Sequence, residues 1–93
     1  MFDSTKTIRD LKILHQAAPA LEGSGKDSTA EFIRVGEYGL ALDGIAYAYL
    51  ATKMLMPADL FRLFEELAET MKLDRDPEYA GVAELRATQK AKL

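Results

Sequence analysis

The stretch GEYGLALDGIAYAYL, residues 36–50, carries the strongest structural signal in this chain. Its apolar and aromatic side chains recur every three or four residues, which is the spacing of a helix and not the alternation of a strand. Gly36 is typical of the end of a preceding helix, because glycine readily adopts the left-handed backbone conformation found there. The pattern therefore predicts a helix from about Glu37 or Tyr38 to Lys53.

This predicted helix is apolar on more than one side. One face forms a candidate core stripe of Tyr38, Ala41, Leu42, Ile45, Ala48, Tyr49 and Thr52. A second face at the same spacing carries Leu40, Asp43, Tyr47, Leu50 and Met54. A surface helix normally has one polar side. Either the other helices surround this one, or its second face lies against a partner protein, a position that suits tyrosine.

Two glycines inside the predicted helix need a reason of their own. Gly39 and Gly44 each cost about 1 kcal/mol relative to alanine in a helix interior. We therefore expect each of them to permit a bend or a close approach by another backbone. That backbone could belong to a neighbouring helix or to a bound protein.

The rest of the chain also reads as helical. A first helix is predicted from about Thr5 to Ala18 with Ser4 as its cap, and a second begins at Asp27 or Ser28 with Glu31 at capping-box spacing. Residues 22–27 are predicted as a loop. A fourth helix is predicted over residues 58–72 after Pro57, and Asp76 with Pro77 opens a short last one. The prediction is a single all-α domain over residues 1–93, a small bundle of four to five helices with a polar tail that frays from about residue 87.

Composition narrows the classes of function. The chain has 93 residues and a net charge of −3, and this acidic balance argues against binding to a nucleic-acid backbone. It has no cysteine, which excludes disulfides and thiolate metal sites. Its longest apolar run is far shorter than the roughly 20 residues of a membrane span, and no secretory signal opens it. We expect a cytoplasmic protein that does not bind membranes.

Little in the sequence points to catalysis. His15 is the only histidine and has no carboxylate at a telling spacing, so a packing or surface role is expected. Glu65, Glu66 and Glu69 lie on one predicted helix without a second set of ligands. They form either a solvated acidic face or a patch that meets a basic partner. We expect no enzyme activity, no metal and no cofactor.

Residues 32–42, FIRVGEYGLAL, resemble the core motif of immunity proteins of bacterial polymorphic-toxin systems. The similarity is to the MafI-like group, with contact-dependent growth inhibition immunity proteins as wider relatives. The matching residues are Gly36, Glu37, Tyr38, Gly39, Ala41 and Leu42. The helix after Pro57 fits the same order, so the resemblance covers about residues 28–74. The chain departs from it at DGIAYAYL, where such proteins often have a more polar helix.

The resemblance implies an inhibitor that binds a cognate toxin domain, of nuclease type or otherwise acting in the cytosol, and covers its active or substrate-binding site. The candidate partner-binding residues are Glu37, Tyr38, Asp43, Tyr47, Leu50, Glu65, Glu66 and Glu69. The alternative is a helical adaptor or regulatory protein that acts through homo- or hetero-oligomerisation. A DNA-binding helix-turn-helix protein is a weaker alternative because of the acidic balance.

Overall fold

A computed structural model describes residues 4–19, 25–73 and 76–92 of the chain, with the side chains of residues 28 onward in the second segment. The elements in chain order are α1 (Ser4–Ala17), α2 (Gly25–Arg34), α3 (Tyr38–Thr52), α4 (Ala58–Thr70), a 3-10 turn (Pro77–Tyr79) and α5 (Ala80–Ala91). No strand occurs in these described segments. The predicted all-α bundle of four to five helices is confirmed.

Helix α3 lies at the centre of the bundle. It packs between α2 and α5, and α1 and α4 contact both each other and α3. Its buried side chains are Ala41, Leu42, Ile45, Ala46, Ala48 and Tyr49. Most of the predicted core stripe is therefore confirmed, while Tyr38 and Thr52 at its two ends are half-buried. The fully buried Leu11, Phe64 and Leu85 bring α1, α4 and α5 into the same core.

Three helices end in the same way, with a left-handed residue that lets the following amide reach back to a carbonyl five residues earlier. Gly36 has φ +84°, as the sequence predicts, and ends α2. Lys53 and Lys72 both have φ 57° at the ends of α3 and α4. Beyond them, Met54 N donates to Tyr49 O at 3.2 Å, and the corresponding bond after α4 is 2.9 Å long. These are Schellman motifs, in which glycine is the usual left-handed residue.

Several predicted helix starts differ from the structure. Helix α2 begins at Gly25, so residues 25–27 of the predicted loop are helical, and residues 22–24 lie outside the described residues. Glu31 does not close a capping box with Ser28, because both lie inside α2; its carboxylate pairs with Arg34 instead. Ser4 lies within α1. Pro57 occupies the N-cap position of α4, just before the first turn.

The last helix agrees with its predicted start but not with its predicted end. The Asp76 carboxylate accepts a hydrogen bond from Glu78 N at 3.0 Å, and Pro77 opens the 3-10 turn. Beyond residue 87, where fraying was predicted, α5 continues to Ala91, and Gln89 is 1% exposed. The amphipathic pattern was missed there because the buried residue is a glutamine.

Gln89 joins α5 to the loop between α3 and α4. Its Oε1 accepts a hydrogen bond from Met56 N at 2.9 Å, and its Nε2 donates to Met56 O. Both polar groups of the buried amide and both backbone groups of Met56 are therefore satisfied, which burial requires. This pair of hydrogen bonds fixes the loop at residues 53–57 against the last turns of α5.

Candidate protein-binding surface

The first half of α3 is occupied by other parts of the same chain. A Cβ atom at Gly39 would lie 2.8 Å from Tyr79 Cζ, and one at Gly44 would lie 2.5 Å from Thr29 Oγ1. Real Cβ atoms do not approach other atoms so closely, so both positions require glycine unless a neighbour moves. The predicted close approaches are therefore confirmed in part: both occur within this chain, but the approaching atoms belong to the side chains of Tyr79 and Thr29 and not to a backbone.

Asp43 caps the start of α5 from the neighbouring helix. Its Oδ1 accepts a hydrogen bond from Val82 N at 3.2 Å, and Gly81 N also donates to this carboxylate. The N-cap residue of α5 is Tyr79, which makes no side-chain cap hydrogen bond. Asp43 therefore performs from α3 the role that a serine or aspartate normally performs at the N-cap itself. No sequence signal indicates such a cap, because the two residues that it joins are far apart in the chain.

Burial of Asp43 has an electrostatic cost. Removal from water raises the pKa of Asp43, and the hydrogen bonds from Val82 and Gly81 only partly oppose this rise. A substitution of Asp43 by lysine would remove the cap. It would also place a positive charge beside the first amides of α5, which already carry partial positive charge. Asp43 thus has a structural function, and it is a poor probe of partner binding.

The second half of α3 is more open. Tyr47 is 61% exposed and Met54 is 52% exposed, while Leu40 and Leu50 on the same face are half-buried. Leu55, which follows Met54, is 48% exposed. Helix α3 is central, so the explanation that the other helices surround it is confirmed for most of its length. Tyr47 on α3, and Met54 and Leu55 just beyond its end, are nevertheless exposed. A partner on this face stays a prediction.

A groove opens beside these residues, between the C-terminal ends of α3 and α5. Its volume is about 140 Å³. Its lining includes Leu50, Lys53, Met54, Leu55, Leu85 and Lys92. Lys53, Leu55 and Lys92 were not predicted, since only the fold brings residues from the middle of the chain and from its last helix to one groove. The one available signal was the predicted helix end at Lys53.

The predicted acidic patch on α4 is largely paired within the chain. Glu65 accepts hydrogen bonds from Lys90 at 3.0 Å and from Arg86 at 3.3 Å, and Glu69 lies 3.8 Å from Arg86. Burial acts to raise the pKa of Glu65, but the hydrogen bonds from these two cations outweigh it and lower the pKa below its ordinary value. Glu66 on the same helix is exposed.

The eight predicted partner-binding residues do not share one surface. Arg86 and Lys90 turn one side of α5 towards Glu65 on α4, whereas Leu85 turns the other side towards the groove beside α3. Glu37, at the start of α3, is exposed, and Tyr38 is half-buried. Tyr47 and Leu50 remain together, with the groove next to them. Of these two, Leu50 also lines the groove.

The described residues also show what is absent among metal clusters and membrane spans. Within residues 4–19, 25–73 and 76–92, no group of three or more histidine, aspartate or glutamate side chains could hold a metal ion. No helix in these segments is long and apolar enough to cross a membrane. His15 is half-buried on α1.

No protein-family model matches the chain, and no curated protein or solved structure matches it either. The resemblance of residues 28–74 to immunity proteins therefore stays a prediction.

Proposed function

We propose that this chain is an immunity protein that binds a cognate bacterial toxin domain in the cytoplasm and neutralises it by covering its active or substrate-binding site. The observation that carries the proposal is the exposed apolar surface on the second half of α3, where Tyr47 is 61% exposed on an otherwise central helix. The resemblance of residues 32–42 to the immunity-protein motif supports the same function. Inhibition requires binding without turnover, so no catalytic group is needed.

The scaffold around Tyr47 is suited to tight binding. Gly39, Asp43 and Gly44 fix the first half of α3 against the 3-10 turn, α5 and α2. A rigid helix loses little conformational entropy when a partner docks on it, which favours affinity. Tyrosine adds a large contact area with few rotatable bonds and a hydroxyl that can hydrogen-bond at the edge of an interface. Tyr47 is therefore the expected energetic centre of the complex.

We expect charge to contribute less to partner binding than the acidic residues of the sequence predict. Glu65 and Glu69 are paired with Arg86, so they contribute little net charge to a basic partner. Glu37 and Glu66 are exposed and can still speed the encounter with a basic surface. We expect affinity to come mainly from apolar burial around Tyr47, in an interface of roughly 1,600 Å² in total.

The experiment is a binding and rescue assay with the toxin domain encoded directly upstream. Co-expression of this chain should restore growth, and calorimetry should give a tight complex. Tyr47→Ala should weaken binding roughly 10- to 30-fold, since a central tyrosine commonly contributes about 1.4–2 kcal/mol. Its melting temperature should stay close to that of the wild type, because the side chain is mostly in water.

Arg62→Ala is the matched control, since Arg62 is also exposed but lies on α4. It should leave both affinity and stability unchanged. Absence of binding and rescue by the wild type would reject the immunity function. Equal affinity of the Tyr47 and Arg62 variants would move the interface away from α3.

The same exposed surface favours the alternative, a regulatory protein that associates through α3. Tyr47, Met54 and Leu55 of one copy could pack against those of a second copy. Sedimentation at increasing concentration distinguishes the two functions. A monomer at all concentrations that still binds the toxin supports immunity, whereas a dimer that Tyr47→Ala dissociates supports the alternative.

A further inference from the structure

The groove between the ends of α3 and α5 is basic at its rim, although the chain as a whole is acidic. Lys53 ends α3 and Lys92 ends α5, and both side chains border the groove and are exposed. No carboxylate is among the described residues that line it. Leu50, Met54 and Leu85 supply its apolar wall. This combination of apolar wall and cationic rim differs from the glutamate-rich surface of α4.

We propose that this groove receives an apolar segment of the partner protein that carries carboxylates on its flanks. The inference rests on the proposed immunity function and specifies the chemistry of the toxin segment that this chain binds. One or two apolar side chains of that segment pack between Leu50 and Leu85. Its carboxylates lie beside Lys53 and Lys92.

The size of the groove favours side chains of a protein over a free small molecule. Its volume of about 140 Å³ is less than the roughly 300–1,000 Å³ of typical small-molecule sites. Met54 and Leu55, which line the groove, are also about half exposed to the surrounding solvent. An inserted side chain would therefore continue into a wider contact, as anchors at protein interfaces do.

The groove is formed before any partner binds. Met54 N donates to Tyr49 O at 3.2 Å, which fixes the end of α3. Met56 is held to Gln89 on α5 by two hydrogen bonds, which fixes the loop that follows. Both sides of the groove are thus tied to one another, and binding costs little ordering of the loop.

Charge complementarity decides the chemistry of the occupant. Two exposed lysines at the rim favour carboxylates and disfavour a lysine- or arginine-rich segment. The acidic residues of the sequence predict contacts with a basic surface of the toxin. The proposed contact at the end of α3 has the opposite sign, with cations on this chain and carboxylates on the partner.

The first test uses the toxin domain encoded upstream and the double variant Lys53→Glu/Lys92→Glu. We expect this double charge reversal to weaken toxin binding at least 10-fold in calorimetry at low salt. Lys72→Glu is the matched control, because Lys72 has the same left-handed backbone conformation at the end of α4 but does not line the groove. It should bind as the wild type does, and all variants should melt alike.

The second test does not need the toxin. The probes are two synthetic peptides with leucines at the same positions, one with glutamates between them and one with lysines. In ¹⁵N–¹H NMR titrations, only the acidic peptide should shift the amides of Leu50, Met54, Leu85 and Thr88, all of which line the groove. These shifts should vanish in the double charge reversal and persist in Lys72→Glu.

The outcomes separate the groove from the proposed function. Toxin binding that is equal in the wild type and the double variant overturns the groove and leaves the immunity function standing. No toxin binding by the wild type rejects the immunity function, and the peptide titration then decides the groove alone. Equal shifts with both peptides, or none with either, overturn it. A dimer that the double variant dissociates places a second copy in the groove and also overturns it.

Discussion

The two halves of α3 both contribute side chains to the core, but only the second half also carries a large, mostly exposed side chain. In the first half, Gly39 and Gly44 lie against side chains of other elements, and Asp43 holds the start of α5. In the second half, Ala48 and Tyr49 are buried in the core, whereas Tyr47 is mostly exposed. Met54 is exposed just beyond the end of the helix. A helix that is apolar on all sides can therefore bury most of its surface in the core and still leave one large side chain in water.

The motif that resembles immunity proteins, residues 32–42, covers the end of α2 and the start of α3. Gly36 ends α2 with a positive φ, and Gly39 admits the ring of Tyr79. Gly36 and Gly39 explain how α3 is positioned, while Glu37 between them is exposed. In the proposed function, Tyr47 and the groove residues that bind the partner lie after this motif.

Loss of the hydrogen bonds between Gln89 and the loop after α3 should have the largest effect on stability. Gln89→Ala should lower the free energy of unfolding by about 2–4 kcal/mol, because it leaves both polar backbone groups of Met56 buried without a partner. Urea denaturation measures this loss. Gln16→Ala, an exposed glutamine on α1, is the matched control and should change stability by less than about 0.5 kcal/mol. Similar values for the two variants would show that the hydrogen bonds to Met56 do not hold the loop.

A methyl group added at Gly44, in the first half of α3, should have the next largest effect on stability. Gly44→Ala should lower stability by about 1–3 kcal/mol, since the new Cβ would meet Thr29 Oγ1 and force α2 and α3 apart. This loss comes despite the gain of about 1 kcal/mol that alanine brings to a helix. The control is Ala51→Gly at an exposed position of α3, which should lose only that helix propensity. A Gly44→Ala protein more stable than the wild type would mean that α2 does not pack so closely there.

The sequence predicted the fold well because helical periodicity and turn residues are local signals. The core stripe of α3, the turn at Gly36 and the start at Asp76 all follow from neighbours within a few residues. The cap from Asp43 to α5, the hydrogen bonds of Gln89 and the groove depend on contacts across more than 30 residues. Polar residues carry the first two, so the apolar pattern that locates a core could not find them.

Asp43 tests how the first half holds α5. Asp43→Ala should lower stability by about 1–2 kcal/mol through loss of the cap. Asp43→Asn keeps an acceptor for Val82 N and loses the buried charge, so at neutral pH it should lie within about 0.5 kcal/mol of the wild type or above it. Thermal denaturation of the three proteins at one pH measures the order. An asparagine variant as unstable as the alanine variant would show that the charge itself is needed.

The raised pKa of Asp43 sets the sign of the pH dependence of stability in these variants. The pKa of Asp43 is raised in the folded protein by burial, so the folded state binds its proton more strongly than the unfolded state does. Stability due to this group is therefore lost as the pH rises from below its ordinary value of 3.8 through the raised folded value. The advantage of Asp43→Asn over the wild type should grow across that window. An advantage that shrinks as the pH rises would contradict the raised pKa.

The smallest effects should come from the two left-handed lysines, and they sharpen the comparison between structure and binding. Lys53→Gly and Lys72→Gly should each raise stability by about 0.5–1 kcal/mol, because both residues have φ 57° and glycine adopts this conformation without a Cβ clash. Equal gains in urea denaturation are expected, since the two helix ends have the same hydrogen bonds. Only Lys53 borders the groove, so only its variant should lose affinity for the toxin or the acidic peptide. We expect the variant at residue 53 to gain stability and lose binding, and the variant at residue 72 to gain stability only. This result would show that Lys53, at the end of α3, contributes to binding although it lowers the stability of the fold. Loss of stability at residue 53 alone would instead mean that the Lys53 side chain supports the fold.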